Sequence, residues 1–201
     1  MLLQLANAPY VLAIDFSAYH SAMGAGVVVF RGPVVKQSAE LAKTSHEIGE
    51  SLERRGDHYK ALTTAFWGIH MRETEEFLEQ YLSSTKLFAV EKAYAIKNVD
   101  SMKLKRYIEK YIKQNPIIFT DRPHKVEARL LEKAGVKGRR EGKNYFVALS
   151  DVVAYYAALL SYLEVMEKGP GREVNEEVLQ KRIGRLGETL NKSFGGKLLV
   201  V

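Results

Sequence analysis

Apolar residues fall along the chain in two rhythms. Tyr10 to Asp15 is a compact apolar run ending in an acid, and Gly26 to Phe30 is a second, β-branched one. Short runs bounded by turn residues predict buried strands. Arg31-Gly32-Pro33 then punctuates a tight connection into residues 34–42, where a third strand would complete an antiparallel meander. From Tyr59 to Leu82 the rhythm changes. Leu62, Phe66, Ile69, Phe77, Leu78 and Tyr81 recur at mostly helical spacing and predict one long helix.

Strands and helices alternate from there. Residues 86–90 read as a short strand ending in Glu91, 101–112 as a helix with a basic face, and 116–120 as a strand ending in Asp121. Pro123 suits the first turn of a helix that Gly135 stops. A basic loop over 136–144 leads to Ser150, a predicted cap for an apolar helix over 151–167. Gly169-Pro170-Gly171 ends that helix, and an amphipathic segment over 174–190 and an apolar tip over 198–201 follow. Crossover helices between strands imply parallel pairing. The expected fold is therefore α/β: a five-stranded mixed sheet, made of the three-strand meander plus two parallel strands, flanked by helices. The core would cover 8–168, with a C-terminal helical appendage at 169–201.

Composition narrows the chemistry. At 201 residues and 46% hydrophobic, the chain can bury a sizeable core. It has no cysteine, which removes disulfides, thiolate metal sites and thiol nucleophiles. Thirty Lys plus Arg against 24 Asp plus Glu leave a net +6, which favours polyanions and makes nucleic acid a candidate partner. The apolar runs 27–30 and 152–160 are too short, or too interrupted by tyrosine, to suggest a bilayer span, and residues 1–9 do not read as a signal peptide. No membrane association and a cytoplasmic location are expected.

Three acids stand among hydrophobic residues: Asp15 after the first apolar run, Glu91 after a later one, and Asp151 at the start of an apolar helix. An ionised carboxylate in such surroundings is unfavourable unless it meets a cation or a donor, so a shared divalent metal is one expectation. Two Mg2+ ions, or Mn2+ in their place, bridged by carboxylates could support phosphodiester cleavage. Each acid taken alone also reads as a strand-end or N-cap residue.

A β-β-β-α-β-α-β-α order, with acids on the first and fourth strands and on the last core helix, resembles the ribonuclease H-like superfamily. Around Glu91 the segment Phe88-Ala89-Val90-Glu91-Lys92-Ala93-Tyr94-Ala95-Ile96-Lys97-Asn98-Val99-Asp100-Ser101 closely resembles RuvC Holliday junction resolvases. Ile14-Asp15 with Gly24-Ala25-Gly26-Val27-Val28, and the Ala- and Leu-rich helix opened by Asp151, are similar to that family as well. The resemblance implies metal ligation by Asp15, Glu91 and Asp151 and stacking of Tyr94 on junction bases. It also implies a homodimer that cuts four-way DNA junctions in recombination and repair. Ala148 departs from the family at the position of a fourth ligand, and Asp121 is the candidate to fill that gap, its alternative being a turn acid before Arg122-Pro123.

Basic groups near the acids would hold phosphates: Lys97 and Lys103 after the Glu91 segment, and Lys137, Arg139, Arg140 and Lys143 before Asp151. Such runs are also common solvated faces. Gly24 and Gly26 read as hairpin glycines rather than a phosphate loop, and His20 and His124 as loop histidines near the acids. Three other readings stay open: a single-strand DNA or RNA nuclease on the same core, an inactive nucleic-acid-binding protein, and an ATP-binding domain of the actin and sugar-kinase kind.

Overall fold

The computed structural model describes residues 7–32, 34, 87, 89–142, 145–166 and 175–201. Strands β1 (Tyr10–Tyr19) and β2 (Ala22–Arg31) form an antiparallel hairpin turning at His20 and Ser21. Both are apolar on both faces, the pattern of a sheet covered from two sides. The hairpin is longer than the two runs predict because Phe16 to Tyr19 and Ala22 to Ala25 continue the pairing. The third strand of the meander is β3 (Val90–Lys97), antiparallel to β2. It begins at Val90, where the sequence reading ended a strand. Val34 is buried without strand structure, and the strand expected over 35–42 and the helix expected over 59–82 lie outside the described residues.

Two crossovers follow on one face of the sheet. Helix α1 (Ser101–Ile112) starts at Asp100, whose side chain accepts from the Lys103 N–H at 2.8 Å, and buries Leu104, Ile108 and Tyr111 along one stripe. It leads to β4 (Ile117–Thr120), parallel to β1. Helix α2 (Lys125–Lys133) opens with Glu127 reaching back to the His124 N–H at 2.6 Å, and Gly135, at φ +86°, ends the turn that follows it. The two-residue strand β5 (Arg140–Glu141) then pairs parallel to β4 within the segment expected as a basic loop.

Helix α3 (Tyr145–Met166) crosses the other face. It starts six residues before the expected Asp151. Ser150 is therefore not its cap, and the Ser150 hydroxyl donates to the Val147 carbonyl inside the helix at 2.8 Å. By length and composition α3 could cross a membrane, but its apolar window is mostly buried inside the protein: the sheet covers one side and helix α4 (Glu176–Ser193) packs on another. Gly24 and Gly26 face α3 from the middle of β2. A Cβ on Gly26 would sit 2.0 Å from the Ser150 carbonyl oxygen, and one on Gly24 would sit 2.4 Å from the Ala158 nitrogen. Helix approach, not a turn, explains these glycines.

Residues 175–201 are built into this body. Leu179, Ile183, Leu186, Leu190 and Phe194 join the same apolar cluster as α3. Strand β6 (Leu198–Val200) pairs parallel to β3. Among the described residues the sheet thus has six strands in the order β5-β4-β1-β2-β3-β6; β5 and β6 were not expected, because strands of two and three residues carry too few positions to show a period of two, while the strand expected over 34–42 falls largely outside the described residues. The fold is α/β, a mixed six-stranded sheet flanked by helices.

Candidate functional site

Side-chain alternation along β1 assigns its faces. Leu12, Ile14 and Phe16 join the cluster packed by α1 and α2, whereas Val11 and Ala13 join the α3 cluster. Asp15 and Ser17 continue the α3-facing set. On β4, Ile117 and Phe119 face α3 in the same way, and Asp121 is the next residue of that parity. Ile14 pairs with Thr120, so one further step brings Asp15 beside Asp121 across neighbouring strands, about 4.8 Å apart at the backbone. β4 ends there while β1 runs on to Tyr19, which leaves Asp15 at the mouth of the gap.

Each of these carboxylates accepts the amide of the residue that follows it: Phe16 N–H to Asp15 at 2.8 Å, and Arg122 N–H to Asp121 at 2.7 Å. Neither has an ion-pair partner among the described residues. Burial is the largest reason that the Asp15 carboxyl is pushed up to about 7; the negative charges of Asp121 and Glu127 add to it, and the Phe16 N–H opposes it. Glu127, on the first turn of α2, was not singled out from the sequence, because a capping glutamate gives no sign of which strand end it faces.

Asp151 comes from α3. Tyr155 and Tyr162 on that helix meet Tyr19 of β1, with ring centroids 6.3 and 5.2 Å apart. Asp151 lies one turn before Tyr155 on the same side of the helix, and its neighbour Ser150 abuts Gly26, the strand partner of Asp15. The helix therefore carries Asp151 to the level of Asp15 on the β1 side. Among the described residues no three Asp, Glu or His side chains close into a ready metal cage.

Glu91 does not join the group. The pairs Asp15 with Gly26 and Gly26 with Ala95 set the register, so Glu91 lies four residues back along β3 and two strands away, about 16 Å off. It pairs with Arg31 at 3.6 Å, and its charge adds to the burial that chiefly raises the Tyr111 phenol of α1. One metal cannot bridge Asp15 and Glu91. Tyr94 is likewise corrected as a base-stacking residue. It is 4% exposed, shares a 3.3 Å hydrogen bond with Tyr111, and burial raises its phenol first of all. Ala148, at the position of the missing ligand, is a buried core residue of α3.

The basic residues divide. Lys97 is ion-paired to Glu164 of α3, and Lys103 Nζ donates to the Lys97 carbonyl at 3.1 Å, so both tie β3 to its surroundings. Lys137 and Arg140 are exposed, and Arg139 pairs with Glu141 at 3.3 Å while its buried Nε has no partner among the described residues. Arg140 is level with Phe119 on the neighbouring strand, which brings this edge close to Asp121. Lys143 lies outside the described residues. Ser17 Oγ and Thr120 Oγ1, adjoining the acid pair, are buried without a hydrogen-bond partner among the described residues. The sequence offered no cue to them beyond their nearness to Asp15 and Asp121. The chain matches no family model, no curated protein and no solved structure.

Proposed function

We propose that the chain is a metal-dependent nuclease of the ribonuclease H-like kind. The observation that carries this reading is the pair Asp15 and Asp121: adjacent carboxylates on one sheet face, with no cation partner among the described residues. The element order supports it. Counted among the described residues, the fourth strand is β4, so the acid that follows it is Asp121 rather than Glu91, and Asp15, Asp121 and Asp151 stand on the first strand, just after the fourth and on the long core helix. Parallel β4 and β5 lie beyond β1, on the side opposite the meander.

Magnesium fits this donor set, because it is commonly held by one or two carboxylates together with water and substrate phosphates. Once bound, it would supply water activation and charge neutralisation for phosphodiester hydrolysis. Asp15 and Asp121 would hold it, with Asp151 approaching from α3. Asp15 must be ionised to do so, and its carboxyl gives up the proton near pH 7. Arg140, exposed on the β5 edge, and the neighbouring Arg139 guanidinium would take the flanking phosphates. With Glu91 and Tyr94 outside the site, the four-way junction is one candidate substrate beside single strands and duplexes.

Cleavage of labelled junction, single-stranded and duplex DNA and RNA, with Mg2+ or Mn2+, tests the reading. Asp15→Asn and Asp121→Asn are expected to lower the rate at least about a hundredfold, and Glu91→Gln to leave it within a few-fold. Equal loss in Glu91→Gln and Asp15→Asn would refute the assignment of ligands. No metal-dependent cleavage of any substrate would refute the nuclease.

A further inference from the structure

The positive charge of the chain is concentrated in one stretch. Residues 101–141 hold 12 of the 30 Lys and Arg but 5 of the 24 Asp and Glu, so they carry more than the whole net +6 and the rest of the chain is close to neutral. The excess lies on the helices that cover one face of the sheet. On α1, Arg106, Lys110 and Lys113 recur at intervals of four and three residues, opposite the buried stripe of Leu104, Ile108 and Tyr111. On α2, Lys125, Arg129 and Lys133 recur at intervals of four, opposite buried Leu131. All six are exposed. Lys113 pairs with Glu109 at 3.0 Å and Lys110 lies 4.5 Å over the Tyr111 ring, whereas Arg106, Lys125, Arg129 and Lys133 have no acidic partner among the described residues.

Strand direction relates this face to the acids. β1 and β3 both pair antiparallel to β2, and β4 pairs parallel to β1, so β1, β3 and β4 run the same way. α1 follows β3 and α2 follows β4; both helices therefore start at the strand end that carries Asp15 and Asp121, and they pack side by side as they run back across the sheet. Exposed Arg122 directly follows Asp121, and Lys125 opens α2 on the turn whose Glu127 acts on the Asp15 carboxyl. A band of cations thus leads from the acid pair onto the outer face of the helices. At about 1.5 Å per residue the two rows are roughly 10 and 12 Å long, a length over which a duplex presents about seven phosphates. Single strands are held by rings that stack on their bases, and among the described residues this face offers none: Tyr111 is buried beneath Lys110, and Tyr107 packs on Tyr94. We infer that the outer face of the α1–α2 layer binds the phosphate backbone of duplex nucleic acid, without reading its sequence. The inference rests on the nuclease reading for making that duplex part of the substrate, not for the binding itself.

Arg129 and Lys133 are exposed and alanine suits a helix, so replacing both should leave the fold and its melting temperature intact. The probe is a fluorescein-labelled DNA duplex of about 20 base pairs, read by anisotropy in EDTA, so that no cleavage intervenes, over a range of salt concentrations. Arg129→Ala with Lys133→Ala is expected to bind at least about tenfold more weakly at low salt and to flatten the slope of log affinity against log salt by about 1.8, the loss of two phosphate contacts. Adding Arg106→Ala from the neighbouring helix should flatten it by about 0.9 more. Lys181→Ala with Lys192→Ala removes the same charge from exposed positions of α4, across the sheet, and is expected to bind like the parent. The surface is overturned if the parent does not bind the duplex, if the two double variants lose affinity equally, if a single strand of the same length binds as tightly, or if polyglutamate of equal charge displaces the probe as well as unlabelled duplex does. Cleavage is scored separately with Asp15→Asn. Metal-dependent cutting lost in that variant, with binding indifferent to the α1 and α2 cations, keeps the nuclease and removes the surface. Duplex binding that follows these cations without any cutting does the reverse.

Discussion

Asp15 is a carboxyl group that folding moves from water into a buried position beside two other acids. Its proton affinity rises from an ordinary 3.8 to about 7, so between those values the native state holds a proton that the unfolded chain has released. Stability from this group is therefore greatest at low pH and falls as pH rises toward 7. Asp15→Asn should raise the melting temperature at pH 8, equivalent to an upper bound of about 4 kcal/mol, and change it little at pH 4. Thermal melts across that range check both the sign and the window. Magnesium titrated into the parent at pH 8 should recover part of the same stability and release protons as it binds. Asp15 itself was legible from an acid closing an apolar run. Its partner was not decided at this scale, because Asp121 before Arg122-Pro123 has the local chemistry of a turn acid.

Elements were readable where their signals are local. α1, α2 and the start of β1 follow from periodicity and turn residues, with Ser101 and Gly135 at the expected boundaries, although Pro123 precedes the His124 cap of α2 instead of lying in its first turn. The start of α3 was misread because Ser150-Asp151 resembles a cap, while the residues before it are already buried helix. Glu91 shows the deeper limit. Its segment has a strong local resemblance, yet the distance from Asp15 is fixed by pairing across three strands, and register depends on which faces are buried rather than on any one segment. Gly26 gives the element scale its own test. Alanine there drives a Cβ into the backbone of α3 and should destabilise by about 3 kcal/mol or more. Alanine at Gly135, which meets only an unfavourable φ in open space, should lower stability by about 1 kcal/mol. Chemical denaturation of the two variants separates a packing constraint from a turn constraint.

At the scale of the whole molecule, the C-terminal residues close the core rather than follow it. Leu190 is fully buried on α4 between the helices, and the Val201 amide donates to the Ala95 carbonyl of β3 at 2.9 Å. Leu190→Ala should destabilise by about 2–5 kcal/mol. A chain stopped after Met166 should lose its cooperative unfolding transition, as calorimetry would show, because one side of α3 and the edge of β3 would then be bare. The Gly169-Pro170-Gly171 punctuation lies outside the described residues, and a glycine-proline break does not say whether the next helix packs back.

The pairing of β1 with its two neighbours has a kinetic consequence. Its contact with β2 closes over a two-residue turn, whereas its contact with β4 joins Ile14 to Thr120 across more than a hundred positions of chain. Loop closure of that length is paid late in folding, after the local hairpin has formed. Asp15 and Asp121 therefore meet only when the most distant contact in the centre of the sheet is made, and no partly folded species that holds the hairpin alone carries the acid pair. The chemistry proposed for this chain is therefore available only after β1 and β4 have paired.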